Sequence, residues 1–496
     1  MKICLIFYSL VIKTTIEYNV HLGIAYIASA LTKEGHNVDV YDCPAMKMSN
    51  DELLEHLKQE KYDAVGLSTY YHNADVVLEI AKYIKTLNNK TFTFIGGYMP
   101  TQSYENMANF FSYIDCMIIG EGEKISIKLM ENLKNGDWKN TRGIAYLDQN
   151  GVNYTGAPEP INDLDLLPYP YRVANKKNKY NIFSVLTSRG CRGNCSYCSL
   201  HKMIEASKCQ RLRKRSPKNV VDEIKELVNN HNATTIVFAD DNFAFRTMND
   251  KIWFEEFSFL IKNQNIHVKF ICEMRADDVV LGEKYLNNFK EIGLESVFIG
   301  IENFVQEHLN FYSKNITVET NLKSLQILES LHINYSFGFM LFNPIINLSD
   351  IQENCKMLKE ILDNHQYLFA TRLLSSSVVV AYPGTAIEEY IYANNLQTDN
   401  ECGYKIKNSK AALCKSAIDI WKEKIEKYFF LSQDLSDIKN KNKWAIEILK
   451  LDVDLLYRIS SLISENKVDS LQDIVPIINE QHIQLIKINK KYISYL

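Results

Sequence analysis

Glycine and proline are scarce, 19 and 10 of 496 residues, about 4% and 2% where globular chains average roughly 7% and 5%. The few that exist are therefore informative by position, and no low-complexity tract or internal repeat appears. An excess of charge is also missing. Lys and Arg number 56 against 60 Asp and Glu, a net charge of -4, so electrostatics nominate neither nucleic acid nor an anionic membrane surface. No run approaches the roughly 18 apolar residues of a membrane span. Residues 1–7 lead into a short apolar stretch broken by Lys13, Thr14, Thr15 and Glu17, without a signal-peptide core, so the expectation is a cytoplasmic protein. In that compartment eleven cysteines, an odd count, read as thiols or metal ligands rather than disulfides.

What is present is an ordinary globular composition, 46% hydrophobic and 23% charged, over a length that suits about three domains. From residue 1 to about 135, apolar runs at 3–7, 38–42, 64–68, 92–95 and 116–119 alternate with amphipathic stretches. Five short buried strands separated by helices predict a doubly wound, Rossmann-like parallel sheet, whose ligand belongs outside the strands' carboxyl ends. Residues 143–154 predict a hairpin turning at Gln149-Asn150-Gly151, and Pro158, Pro160, Pro168 and Pro170 then mark a linker. A second alternation follows, with strands expected at 183–188, 235–239, 268–274, 296–301, 334–341 and 372–380, the pattern of a (β/α)6-type partial barrel. The remainder is helical and Lys-rich, with Pro476 suited to a first helical position. The expected division is 1–140, 141–178 (linker with hairpin), 179–400 and 401–496.

Thr187-Ser188-Arg189-Gly190-Cys191-Arg192-Gly193-Asn194-Cys195-Ser196-Tyr197-Cys198 sets three thiols at C-x3-C-x2-C spacing directly after the first barrel strand. Three cysteines suit a cubane iron-sulfur cluster with one iron left open, since structural zinc usually takes four protein ligands. A zinc site completed by His201, or a chance cluster, stands beside that reading.

This loop resembles that of the radical S-adenosylmethionine (SAM) superfamily. The resemblance implies a [4Fe-4S] cluster on Cys191, Cys195 and Cys198, whose open iron is chelated by SAM, and reductive cleavage of SAM to a 5'-deoxyadenosyl radical. It further implies a reductant such as flavodoxin or ferredoxin, and it brings Tyr197 to the adenine. Later strand ends follow the family's order. Asp240 and Asp241 are placed for the SAM amino group, Arg275 for its carboxylate, Glu302 for the ribose and Leu341 for the adenine.

The first domain resembles the cobalamin-binding domain that precedes this core in one large subfamily, the resemblance spanning about residues 1–390. It implies a corrin held by His21, Gly23, Asp42, Ser68, Thr69, Tyr71, Gly96, Gly97, Gly120, Glu121 and Gly122, because small residues at strand ends let a bulky ligand approach the backbone. Tyr70 and His72 lie in the same loop. The D-x-H-x2-G motif that supplies an axial His elsewhere is absent, as Asp42-Cys43-Pro44-Ala45 shows. A flavodoxin-like domain without its cofactor is the alternative. The function so implied is a cobalamin-dependent radical SAM methyltransferase acting on an unactivated carbon of a natural-product or peptide substrate. A cyclase, epimerase or rearrangement enzyme is the other radical outcome, and a non-catalytic cobalamin sensor the reading from another class.

Overall fold

The computed structural model describes residues 1–9, 21–172, 181–375, 377–400, 402–434 and 438–493. They fall into two units: residues 1–192 with 199–241 and 253–269, and residues 193–198 with 242–252 and 270–496.

In the first unit β1 (Lys2–Phe7), β2 (Asn37–Asp42), β3 (Ala64–Ser68), β4 (Phe92–Gly96) and β5 (Cys116–Ile118) run parallel in the order β2-β1-β3-β4-β5. Their central residues are buried because helices cover both faces. Ile24, Ala28 and Leu31 from the helix Leu22–Lys33, with Leu129 from Gly122–Lys134, pack on one face. Leu53, Val77, Ile80 and Ile84 from Asn50–Gln59 and Ala74–Leu87 pack on the other. The hairpin forms as β6 (Ile144–Asp148) and β7 (Gly151–Tyr154). Rather than lying in a linker, it extends the sheet, pairing antiparallel to β5 through Met117↔Ala145 and Ile118↔Ile144. Apolar residues on the β5 edge are buried this way, and an open edge is capped by a short polar strand.

The same unit holds β8 (Ile182–Val185), parallel to β11 (Thr235–Phe238), and a small antiparallel pair, β9 (Ser188–Gly190) with β10 (Leu212–Lys214). The expected strand 183–188 therefore breaks after Val185. Asp240 causes the break: its carboxylate accepts from the Thr187 amide at 2.7 Å, the Ser188 hydroxyl at 2.7 Å and the Thr187 hydroxyl.

In the second unit β12 (Lys269–Arg275), β13 (Leu294–Glu302) and β14 (Asn334–Phe339) are parallel. No continuous strand forms among the described residues of the expected sixth, 372–380; Val378 makes a single bridge to Phe342. Amides that a ladder would use are taken by side chains of the helix Ile438–Ser464. Ser375 N donates to Asp452 at 3.1 Å and Ala370 N to Asn442 at 3.0 Å. That helix packs with Ser409–Asp434, Leu471–Ile493 and Leu348–Asn364, burying Trp421, Trp444, Ile448 and Leu456. Pro476 lies inside Leu471–Ile493, not at its start. It is exposed, as is Gln472 one turn earlier, so the carbonyl deprived of its amide faces water, which limits the cost.

Candidate active site

At the carboxyl ends of the first unit's parallel strands lies a recess of about 1220 Å³, its open mouth included. Of the residues expected to meet a corrin, His21, Gly23, Ser68, Gly96, Gly97, Gly120, Glu121 and Gly122 line it. Two of the glycines are required by the surrounding protein itself. At Gly97, with φ +113°, an added Cβ would lie 2.8 Å from Thr69 O, and at Gly120, with φ +97°, 2.8 Å from Ser207 Oγ. Gly23 and Gly66 widen the same wall.

Three expected contacts lie elsewhere. Asp42 is buried and spends its carboxylate on backbone, accepting from His21 N at 2.5 Å and Ala45 N at 3.1 Å. Thr69 is fully buried with its hydroxyl turned to Leu67 O. Tyr71 points to Ser103, 2.8 Å away, among core side chains. Tyr70 and Tyr98 line the recess instead, together with Tyr26, Phe94, Leu200, Met203 and Ile204.

His21 begins the helix Leu22–Lys33. Ile24 N donates to its Nδ1 at 3.3 Å, which leaves the proton on Nε2, bonded to the Tyr70 hydroxyl at 2.9 Å. Phe7 lies against the ring at 4.2 Å. Burial holds the imidazole neutral, lowering its pKa to about 4, and raises that of Tyr70 to about 12. The wall thus offers a neutral hydroxyl and imidazole and no charge.

The opposite wall is charged and self-compensated. Glu121 receives both terminal amino groups of Arg213 and lies 3.3 Å from Arg189, which also donates to Glu123 at 2.5 Å. Arg189 and Arg213 are directly paired across β9 and β10. Burial alone would lower the Arg189 pKa, but Glu123 and Glu121 outweigh it and the net shift is upward. Neither arginine was singled out by sequence reasoning. The signal was present in Gly120-Glu121-Gly122-Glu123 and in Arg189 just before Gly190-Cys191, yet only the fold brings the two together.

The cysteine loop begins in the first unit and continues in the second. Asp241 receives Gly190 N at 2.9 Å and lines the recess, while Asp240 is wholly engaged with Thr187 and Ser188. Burial raises the pKa of both acids. In the second unit, Ser196 N donates to Tyr312 O at 2.8 Å and Ile387 N to Ser196 O at 3.1 Å, fixing the Cys195–Cys198 turn. Arg275 Nη1 donates to Cys195 Sγ at 3.4 Å and Nη2 to Lys314 O at 2.5 Å. Glu302 accepts from Lys314 Nζ at 2.7 Å and Tyr197 OH at 3.2 Å, next to a bulge in β13 and at φ +67°, a strained conformation for a non-glycine residue. Leu341 is fully enclosed; its neighbour Met340 is the partly exposed one. Among the described residues no three His, Cys, Asp or Glu side chains are gathered to hold a metal ion. The donor set fits a cluster by its chemistry, three thiols with a guanidinium donating to one of them.

Residues 9–129 match the B12 binding domain family and residues 185–358 the radical SAM superfamily. An uncharacterized methyltransferase of Pyrococcus horikoshii is 28% identical over 383 residues, 76% of this chain and 79% of that protein. An anaerobic magnesium-protoporphyrin IX monomethyl ester cyclase of Rubrivivax gelatinosus is 30% identical over 357 residues, 68% of this chain and 61% of that longer protein. The structure of OxsB, a cobalamin-dependent S-adenosylmethionine radical enzyme with aqua-cobalamin and S-adenosylmethionine bound, superposes with a TM-score of 0.82 over 100% of this chain and 80% of that one. Identity there is 17%, so the likeness is one of fold.

Proposed function

The chain belongs to the radical SAM superfamily, in the subfamily that carries a B12-binding domain, and from that premise we propose that it is a cobalamin-dependent methyltransferase acting on an unactivated carbon. The observation that carries the reading is the recess, whose lining includes both the glycine-rich strand ends of the B12-binding domain and Ser188, Arg189 and Gly190, just before Cys191. When bound, the cluster and SAM supply a carbon-centred radical and cobalamin supplies the methyl group.

In this reading Cys191, Cys195 and Cys198 hold the cluster, and Arg275 fixes the Cys195 sulfur by donating to it. Asp241, Glu302 and Tyr197 face SAM, with Leu341 behind Met340 near the adenine. Asp240 acts instead by holding the loop. His21 and Tyr70 present the corrin with neutral groups, and Gly96, Gly97, Gly120 and Gly122 let it approach the backbone. The substrate is a small molecule or peptide, and a flavodoxin or ferredoxin supplies electrons. No described helix is long and apolar enough to cross a membrane, and we place the enzyme in the cytoplasm.

The cyclase relative supports a second reading, in which the substrate radical closes a ring or rearranges and no methyl group is transferred. Anaerobic reconstitution with iron, sulfide and hydroxocobalamin, followed by turnover with SAM, tests both. Corrin absorbance, S-adenosylhomocysteine and a product heavier by one methyl group are expected. Corrin without S-adenosylhomocysteine favours the second reading, and no cluster sinks both.

A further inference from the structure

In the second unit, alternate residues of β13 divide between two faces. Val297, Ile299 and Ile301 are fully buried on the helix side, while Phe298 and Glu302 share the inner face with Gly338 of β14. Gly338 has the Phe298 ring at 3.2 Å and Glu302 Oε2 at 3.5 Å from where a Cβ would lie. Over this face stands Arg372, its guanidinium carbon 4.7 Å from the Phe298 ring centroid.

Arg372 differs from the other arginines of this region. Arg275 is committed to Cys195, Asp277 and Lys314, and Arg246 to Asp277 and Asp278. Among the described residues Arg372 has neither an ion pair nor a hydrogen bond, only its ring contact. Stacking on Phe298 fixes the plane of the guanidinium and leaves its donor edge open. The neighbouring acids do not satisfy it. Glu302 is engaged by Lys314 and Tyr197, and Glu273 acts on Arg372 only through its charge. Arg372 still meets solvent, yet burial lowers its pKa, with Glu302 and Glu273 pulling the other way.

The segment bearing Arg372 is also held rigidly. Asn442 takes Ala370 N and gives its amide to Leu368 O, and Asp452 takes both the amide and the hydroxyl of Ser375. Asp452 is fully buried and also receives Trp421 Nε1 at 3.0 Å. A buried carboxylate spent on one short loop fixes the position of whatever that loop presents.

We propose that Arg372 recognises an oxyanion of the substrate, a carboxylate or phosphate, beside Glu302 on the Phe298 face of β13, and that the carboxyl-terminal helices hold it there. Glu302 and Glu273 both act electrostatically on Arg372, so an oxyanion bound there enters a site already carrying negative charge and depends on the open donor edge of the guanidinium. This inference deepens the proposed function and rests on this face of the second unit's strands being where the substrate binds.

Guanidinium modification on the intact, cluster-loaded protein tests it without a variant. Phenylglyoxal adducts are mapped by peptide mass spectrometry, with sodium acetate, inorganic phosphate and acetamide as probes. Arg372 is expected to react readily with SAM present or absent. Acetate or phosphate should slow the reaction about threefold or more, and acetamide at equal concentration should not. Protection by SAM alone overturns the proposal, because the guanidinium then serves the cofactor's own carboxylate. Equal protection by acetamide, or none by either anion, also overturns it. A protein that takes up no corrin would sink the methyltransferase reading while leaving the acetate effect intact, so the two failures are distinguishable.

Discussion

Arg213 donates both terminal amino groups to Glu121, at 2.8 and 2.6 Å, in a two-pronged pair that is almost wholly buried. Glu121 stands in the loop after β5 that lines the recess, and Arg213 on the strand that pairs with the approach to Cys191. Burial opposes ionisation of Glu121, but Arg213 and Arg189 outweigh it and hold the carboxyl below its ordinary range. The pair thus ties a loop that lines the recess to the one that leads into the three cysteines. Its charges cancel locally, so the pair adds no net charge to the recess wall.

Glu121→Gln leaves Arg213 buried with a weaker partner. Breaking one side of a buried pair costs about 3 kcal/mol or more, so the cofactor-free protein should melt several degrees lower. The reversed pair, Glu121→Arg with Arg213→Glu, should recover part of that loss and part of the corrin uptake. Equal melting of Glu121→Gln and the wild type would show that the pair contributes nothing.

Asp240→Asn tests whether this acid holds the loop. Its carboxylate accepts from one amide and two hydroxyls, and an amide side chain supplies only one accepting oxygen. The variant should lose about 2 kcal/mol and retain several-fold less iron after reconstitution. Retention of full cluster content with impaired SAM binding would return Asp240 to the role of a SAM ligand.

The first sheet was legible because its strands are short apolar runs whose ends carry glycine, and periodicity senses burial directly. Features set by distant partners were not. Val185 ends a strand only because Asp240, 53 residues later than Thr187 and 52 later than Ser188, claims those two residues. Among the described residues the expected sixth strand lacks a ladder because Asp452, 77 residues beyond Ser375, takes its amide. Asp42, Thr69 and Tyr71 carry plausible ligand chemistry, but whether a polar side chain turns to a ligand or to its own backbone depends on packing. Tyr70 and Tyr71 are adjacent in the chain and face different surroundings.

Gly190→Ala should disable the cysteine loop. A Cβ there would lie 1.9 Å from Arg211 O, and the residue sits at φ +94°. Neither the backbone leading into β10 nor the conformation can yield without parting β9 from β10. Gly136→Ala is the control, since it shares a positive φ of +81° but has nothing within 4 Å. It should cost about 1 kcal/mol and keep normal iron content, whereas Gly190→Ala should yield little cluster or little soluble protein. Similar behaviour of the two would mean that strain, not the clash, decides.

His21 and Asp42 respond to acid in opposite directions. In the folded protein His21 has a pKa of about 4 against an ordinary 6.5, so between those values the unfolded chain binds a proton that the folded one refuses. Its contribution is present above pH 6.5 and is lost as pH falls toward 4, a change of about 3 kcal/mol at most. Asp42, whose carboxylate accepts His21 N, runs the other way. Burial raises its pKa to about 6 from 3.8, so the folded state takes up a proton first, and acidification across that window stabilises it. The two nearly offset, which should leave the stability of wild-type protein changing little through this pair between pH 6.5 and 4.5. His21→Gln removes one arm alone. Relative to wild type, its urea midpoint should then rise as pH is lowered across that window, although it starts lower at pH 7.5 for want of the bond to Tyr70. Parallel midpoints of variant and wild type throughout would mean that His21 titrates in the folded protein as an ordinary exposed histidine does.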